Sequence, residues 1–163
     1  DSAMTEKYQM IDTAELYRNH KFIGDFFSNN DDSRKNVWIT TKLSFRTIEK
    51  GEKKMRESME SMFDDLNVDK LDLVLIHAPT KNNKQAWDLL RSYQDDGKIM
   101  KVGISNFNEE NLEEFIKDVK TLGYLIKLDT NGLNPIVLKN LHIFLNNADL
   151  CLTFYKKFGK ILV

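Results

Sequence analysis

The sequence predicts an α/β protein in which a parallel sheet is flanked by helices. Short β-rich apolar segments alternate with longer segments whose apolar residues recur at helical spacing. This alternation is typical of consecutive β-α units. The chain of 163 residues has two prolines and seven glycines, and no linker-like or low-complexity tract divides it. We therefore expect one domain over residues 1–163, long enough to bury one sizeable core.

Five short segments are expected as strands, because they are rich in β-branched and other apolar residues and have the length of buried strands. They are residues 8–11, 37–41, 71–76, 99–104 and 161–163. Two further segments, residues 124–128 and 135–138, also have strand-like composition, and a turn signal at residues 129–132 separates them. We expect only one of these two to be a strand of the sheet.

Helices are expected between the strands. Three of them show apolar residues at steps of three and four, as one face of a helix requires. These residues are Met55, Met59, Met62, Phe63 and Leu66 in the first, Trp87, Leu90 and Tyr93 in the second, and Leu112, Phe115, Ile116, Val119 and Leu122 in the third. Asn108 is a suitable N-cap for the third helix, and Gly97 and Gly123 are suitable stops for the second and third. Residues 19–27 and 149–158 complete the predicted helices.

Composition narrows the possible partners and the cellular setting. The 24 basic residues nearly balance the 25 acidic residues, so no charge excess favours binding to nucleic acid or to a membrane surface. No apolar run approaches the roughly 20 residues that span a bilayer. Cys151 is the single cysteine, and the three histidines are far apart in sequence, so no zinc-binding spacing is present. We expect a cytoplasmic protein without a metal site, and the oligomeric state cannot be predicted.

Polar residues with chemical potential follow the predicted strands. In parallel β/α folds, functional residues gather at the carboxyl ends of the strands. The first four strand ends carry Asp12, Lys42, His77 and the pair Ser105 and Asn106, and Tyr17 lies in the loop after Asp12. Steps of 30, 35 and 28 residues separate Asp12, Lys42, His77 and Ser105. Each step is about one β-α unit, as expected if the positions sample one end of a barrel.

This ordered set of motifs resembles the signature of the aldo-keto reductases. The resemblance lies in residues 11–14 followed by Tyr17 and Asn19, and in residues 40–42, 73–79 and 97–107. Each motif alone is weakly specific, but four in the family's order and spacing are strongly specific. The resemblance covers residues 8–116 and implies a (β/α)8 TIM-barrel fold. It also implies NADPH as cofactor and an aldehyde or ketone as the small-molecule substrate.

The resemblance also implies a role for each strand-end residue. Tyr17 corresponds to the general acid, and Asp12, Lys42 and His77 complete its tetrad. Chemistry supports these residue types, because an ammonium beside a phenol favours release of the phenol's proton, and a carboxylate can hold that ammonium in place. On the cofactor side, Asp12 borders the site, and Ser105 and Asn106 match the pair that holds the nicotinamide carboxamide. Lys139 stands where the family has a glutamine that holds the nicotinamide.

Some of the family pattern is different or falls outside the chain. His20 stands where the family usually has glutamate, and the glutamate expected after the Lys139 position is missing. By the resemblance, the first barrel strand would precede Asp1, and the last two β-α units would follow Val163. We therefore expect an incomplete barrel with about six of the eight strands and two unpaired edges.

Each strand-end residue also has a purely structural interpretation. Taken singly, Asp12 suits a helix cap, Tyr17 a packing residue, Lys42 an exposed charge and His77 a backbone-bonded strand end. In this order and spacing, they favour descent from an active reductase site. Two functions therefore remain open: an NADPH-dependent carbonyl reductase, or a non-catalytic β/α remnant that keeps these residues by descent and acts through interactions or is inactive.

Overall fold

A computed structural model describes residues 9–29, 34–35, 37–119 and 161–162. These residues form one parallel sheet of five strands in the order β4-β3-β2-β1-β5. The strands are β1 (Met10–Asp12), β2 (Trp38–Leu43), β3 (Leu71–Ile76), β4 (Ile99–Ile104) and β5 (Ile161–Leu162). The helices are α1 (His20–Ser28), α2 (Phe45–Ile48), α3 (Glu52–Leu66), α4 (Asn83–Asp95) and α5 (Glu109–Asp118). The predicted α/β class with a parallel sheet is therefore confirmed.

Strand prediction succeeded best for β3 and β4. The observed bounds of β3 and β4 are the predicted ones. β2 begins one residue later than predicted and continues to Leu43, because Lys42 pairs with Leu75 and Leu43 with Ile76 in the ladder with β3. Lysine is uncommon in strands, but pairing with a neighbouring strand overrides this preference. Lys42 therefore lies within β2 rather than after it.

β1 lies between β2 and β5 in the sheet. β1 lies two residues later than predicted at its start, and its Met10 and Ile11 pair with Trp38 and Ile39 of β2. On its other edge, Met10 and Ile11 pair with Ile161 and Leu162 of β5. The strand-like segments 124–128 and 135–138, and the predicted helix 149–158, lie outside the described residues.

The core lies between the sheet and the helices that cover it. The predicted apolar face of α3 is buried: Met55, Met59, Met62, Phe63 and Leu66 are each at most 8% exposed. These side chains share one cluster with Trp87, Leu90 and Tyr93 of α4 and with Phe115 of α5. The N-cap of α5 is also the predicted one, since Asn108 Oδ1 accepts a hydrogen bond of 2.8 Å from the Asn111 backbone N–H. Helical spacing thus identified which faces the sheet buries.

Two short helical elements were not predicted. A 3-10 helix spans Glu15–Tyr17, and α2 spans Phe45–Ile48. Elements of three or four residues are too short to show a helical period. α2 has a local signal in Ser44, whose side-chain oxygen accepts from the Arg46 backbone N–H at 3.1 Å and caps the helix.

Within the described part of the chain, no helix is both long enough and apolar enough to cross a membrane.

Gly24 allows α1 to pack closely against the end of α3. A Cβ atom built at Gly24 would lie 2.1 Å from the Asp65 carbonyl oxygen, which belongs to the backbone and cannot rotate away. Alanine would favour the helix itself by up to about 1 kcal/mol. We nevertheless expect Gly24→Ala to lower the free energy of unfolding by about 2–4 kcal/mol, because the two helices must separate.

Urea unfolding of the purified variant measures this loss. Lys21→Ala is the control, since Lys21 lies on the same helix with its side chain 74% exposed, and we expect little change from it. Equal stability of Gly24→Ala and the parent would show that α1 and α3 are not as close as the structure has them.

Candidate active site

The predicted strand-end residues lie at one edge of the sheet. Asp12 ends β1, Lys42 is the last residue but one of β2, and His77 and Ser105 directly follow β3 and β4. Backbone hydrogen bonds continue the ladder past the strands, from His77 N–H to Leu43 O at 3.0 Å and from Ser105 N–H to Ile76 O at 2.9 Å. The carboxyl ends of the four strands are therefore held in register, as a β/α active site requires.

Lys42 forms a buried ion pair with Asp12. The Lys42 Nζ donates to Asp12 Oδ1 and also to the Thr13 carbonyl oxygen at 3.1 Å. The two charged side chains are only 4% and 8% exposed. A buried ammonium is stable only with partners of this kind, because it has lost its hydration. The pair thus fixes a buried positive charge at the carboxyl end of β2.

Tyr17 and His77 meet above this charge. The Lys42 Nζ lies 5.2 Å from the centroid of the Tyr17 ring. The Tyr17 and His77 ring centroids are 5.9 Å apart, and the rings meet edge to face at 83°. Tyr17 is 45% exposed, so part of its ring is accessible from outside. The structure therefore brings Asp12, Tyr17, Lys42 and His77 together, and the exposed side of this group is the candidate cleft.

His77 is a neutral imidazole at neutral pH. Burial lowers the pKa of His77 from its ordinary value of 6.5, and the Lys42 ammonium lowers it further, against the opposing charges of Asp12 and Glu15. His77 Nδ1 is buried and has no hydrogen-bond partner among the described residues. His77 Nε2 is therefore the ring nitrogen that can serve a molecule bound in the cleft.

Ser105 and Asn106 offer a matched donor and acceptor beside His77. Asn106 has a φ of 59°, in the left-handed region that asparagine tolerates better than most residues. Its Nδ2 donates to the His77 carbonyl oxygen at 2.8 Å and to Ser105 Oγ at 3.1 Å. Among the described residues, none bonds to Asn106 Oδ1 or accepts the Ser105 hydroxyl hydrogen, and this acceptor and donor suit a carboxamide group. Lys139, the other predicted cofactor residue, lies outside the described residues.

Residues that no sequence pattern indicates hold the Tyr17 turn in place. Glu15 accepts from the Ser44 backbone N–H at 2.7 Å and from the Thr47 hydroxyl at 2.5 Å. Thr13 Oγ1 donates to Asn19 Oδ1 at 2.5 Å and joins the two ends of the segment that carries Tyr17. The Glu15 contacts join residues about 30 positions apart, and no sequence period indicates them. The Ser44 N-cap was the one local signal nearby.

His20, which departs from the family pattern, is buried beside β2. Its Nε2 lies 2.9 Å from Thr41 Oγ1. Burial lowers the pKa of His20 from 6.5, against the opposing charges of Asp65 and Glu15. The unfolded chain therefore takes up a proton at a higher pH than the folded chain does. The contribution of neutral His20 to the free energy of unfolding is complete above pH 6.5. It is lost as the pH falls through the pKa of His20 in the folded state.

We expect the protein to unfold at lower urea concentration at about pH 5.5 than at about pH 7.5. His20→Gln removes the titrating ring and keeps a hydrogen-bonding side chain, so its stability should fall less over the same range. His77, whose pKa is also lowered, should leave part of the pH dependence in place. The same pH dependence in variant and parent would contradict the burial of a neutral His20.

The fold and the cleft together define a β/α protein of the type whose polar residues gather at the carboxyl ends of parallel barrel strands. The sequence model described as "Aldo/keto reductase family" matches residues 1–162. The chain belongs to the aldo/keto reductase family.

The chain is similar in sequence to named oxidoreductases. The chain is 34% identical to the glyoxal reductase of Bacillus subtilis over 120 residues, which are 73% of this chain and 43% of that protein. It is 31% identical to the morphine 6-dehydrogenase of Pseudomonas putida over 118 residues, 71% of this chain and 39% of that one. The chain thus spans less than half the length of these two relatives.

Solved aldo-keto reductases share the arrangement of the strands. The enzyme from Brucella melitensis superposes with a TM-score of 0.71 at 26% identity, over 88% of this chain and 56% of that one. MGS-M4, an aldo-keto reductase from a Medee basin deep-sea metagenome library, gives a TM-score of 0.73 at 26% identity, over 90% of this chain and 54% of that one. The sheet described here therefore corresponds to part of a (β/α)8 barrel, as predicted.

Proposed function

We propose that the protein reduces an aldehyde or ketone to an alcohol with NADPH, and that Tyr17 is the general acid. The observation that carries this proposal is the buried Lys42–Asp12 pair directly below the Tyr17 ring, with the His77 ring packed edge to face with the same ring. A buried ammonium has a high desolvation cost. Its position beside a half-exposed phenol is understandable if the ammonium serves proton transfer from that phenol.

Each residue has a defined task in this reaction. His77 Nε2 donates a hydrogen bond to the substrate carbonyl oxygen and orients it towards the phenol. The Tyr17 hydroxyl transfers its proton to that oxygen as negative charge develops there. Lys42 stabilises the phenolate that remains, and Asp12 keeps Lys42 in position. The overall change is one carbonyl, one hydride and one proton giving one alcohol, with the cofactor oxidised.

NADPH supplies the hydride when it is bound. The Asn106 Oδ1 and the Ser105 hydroxyl hydrogen match the amino group and the carbonyl oxygen of a nicotinamide carboxamide. They would hold the nicotinamide beside His77, with Asp12 bordering the same side of the cleft. We include Lys139 in the cofactor site because of its position in the family pattern. The single cysteine, Cys151, fits a reducing, cytoplasmic setting.

The names of the relatives suggest the first substrate to test. One relative is a glyoxal reductase and another a morphine 6-dehydrogenase, so both act between carbonyl and alcohol oxidation states. We therefore propose a reactive small aldehyde such as glyoxal as the test substrate. The assay uses the protein in the full length that its gene encodes. NADPH should be consumed only when the aldehyde is present, and the alcohol should form in equal amount.

An absence of NADPH consumption with a panel of small aldehydes and ketones, while the protein is folded and binds NADPH, would reject this function. The non-catalytic β/α remnant would then be the better interpretation of the cleft.

A further inference from the structure

The Glu15 carboxylate connects the turn that carries Tyr17 to the segment that follows β2. Glu15 begins the 3-10 helix that ends at Tyr17. Its Oε2 accepts the Ser44 backbone N–H at 2.7 Å, and its Oε1 accepts the Thr47 hydroxyl at 2.5 Å. Both carboxylate oxygens are thus bonded to the segment after β2. Hydrogen bonds to an ionised acceptor are about twice as strong as neutral ones, so this link is directional and firm.

The segment that Glu15 contacts also carries Lys42 and binds the backbone of His77. Ser44 follows Lys42 by two positions, and Leu43 between them accepts the His77 backbone N–H at 3.0 Å. The Lys42 ammonium, the His77 backbone and the Glu15 carboxylate are therefore all attached to residues 42–44. A displacement of Glu15 from Ser44 would move the Tyr17 ring relative to both Lys42 and His77.

The turn has few other attachments. Within the described residues, the hydrogen bonds that join residues 15–17 to another element are those of Glu15. The bonds from Tyr17 N–H to Ala14 O and from Arg18 N–H to Glu15 O lie inside the turn. Arg18 closes the turn with a φ of 54°, a left-handed conformation that is unfavourable for a residue with a Cβ. Contacts from outside the turn must hold it in this shape.

We propose that Glu15 is a positioning residue that holds the Tyr17 phenol over Lys42 and against His77. It acts through Tyr17 and contacts neither substrate nor cofactor. Its catalytic effect rests on the proposed carbonyl reduction, whereas its effect on the position of Tyr17 does not. The residue is therefore tested with one readout of activity and one of position.

The first readout is steady-state kinetics with NADPH and an aldehyde. Glu15→Ala should lower kcat by about tenfold to a hundredfold, as expected for a catalytic group displaced by about an ångström. KM and the Kd for NADPH should change by less than about threefold, because ground-state binding is not involved. Glu15→Gln keeps one oxygen that can accept from Ser44 and should lose less. Glu57→Ala, at an exposed glutamate of α3, is the control and should behave like the parent.

The second readout is the NMR signal of the Tyr17 ring in protein labelled with 13C-tyrosine. The chain has five tyrosines, and the Tyr17 signal is assigned by its loss in Tyr17→Phe. Glu15→Ala should shift this signal, since the Tyr17 ring moves away from the Lys42 charge and the His77 ring, and Glu57→Ala should not. If Glu15→Ala fails to fold, Thr47→Val removes one of the two bonds at similar volume and should shift the same signal.

The outcomes separate the two proposals. An unmoved Tyr17 signal together with a kcat within about twofold of the parent would overturn the role of Glu15. If the parent reduces no carbonyl, the proposed function fails, and the Tyr17 signal alone decides on Glu15. A shift then supports positioning, and an unchanged signal refutes it.

Discussion

Tyr17→Phe is expected to lower carbonyl reduction by about 10²- to 10⁴-fold, the usual contribution of general acid catalysis. Phenylalanine keeps the ring that packs 5.9 Å from His77 and lies over Lys42, and it removes only the oxygen that carries the proton. NADPH binding should therefore stay close to that of the parent. The measurement is kcat and KM with a reactive aldehyde, together with fluorescence titration of NADPH.

Tyr93→Phe is the matched control for this prediction. Tyr93 also loses a hydroxyl on substitution, but that hydroxyl bonds to Glu60 at 2.6 Å and lies on α4, away from the cleft. Its kcat should remain near that of the parent. A Tyr17→Phe variant as active as Tyr93→Phe would mean that another group supplies the proton.

Lys42→Met is expected to damage both activity and stability. Methionine has a similar length but no charge, so the buried Asp12 carboxylate loses its partner. Breaking a buried pair in this way typically costs about 3–5 kcal/mol in the free energy of unfolding, because an uncompensated charge remains. The rate should fall as well, since the phenolate that forms during proton transfer is no longer stabilised. Urea unfolding and kcat are measured on the same preparation.

Two further variants separate the effects of Lys42. In the double variant Lys42→Met with Asp12→Asn, the unpaired charge is removed, so much of the stability should return while the activity stays low. Lys84→Met is the exposed control, because Lys84 pairs with Asp88 at 58% and 59% side-chain exposure. Its stability should change far less, since exposed ion pairs contribute little. Equal losses from Lys42→Met and Lys84→Met would contradict a buried pair at the base of the cleft.

The fold was largely predictable because its signals are local. The apolar runs of β3 and β4 and the apolar stripe of α3 reflect burial against the sheet, and burial imposes its period on the sequence. The positions of Lys42 and His77 near strand ends followed from the same patterns, since parallel strands bring their carboxyl ends to one edge. The assignment of residues 1–163 to one domain stays a prediction.

The details of the cleft were less predictable because they depend on contacts between distant residues. Glu15 reaches Ser44 and Thr47 across roughly 30 positions, and a glutamate in a turn carries no sign of such a bond. The burial of His20 beside Thr41 was equally hidden, since its position was noted only as a departure from the family pattern. Side-chain contacts of this kind are decided by packing after the elements have formed, and no residue period encodes them.

Transfer of deuterium in a single turnover tests the central claim most directly. The protein, in excess over substrate, is mixed with a small aldehyde and with NADPH that carries deuterium at the transferring position. We predict an alcohol with one deuterium on the former carbonyl carbon, formed rapidly by the parent and at least about a hundredfold more slowly by Tyr17→Phe. An alcohol without deuterium, no alcohol at all, or equal rates for the two proteins would contradict hydride reduction assisted by Tyr17.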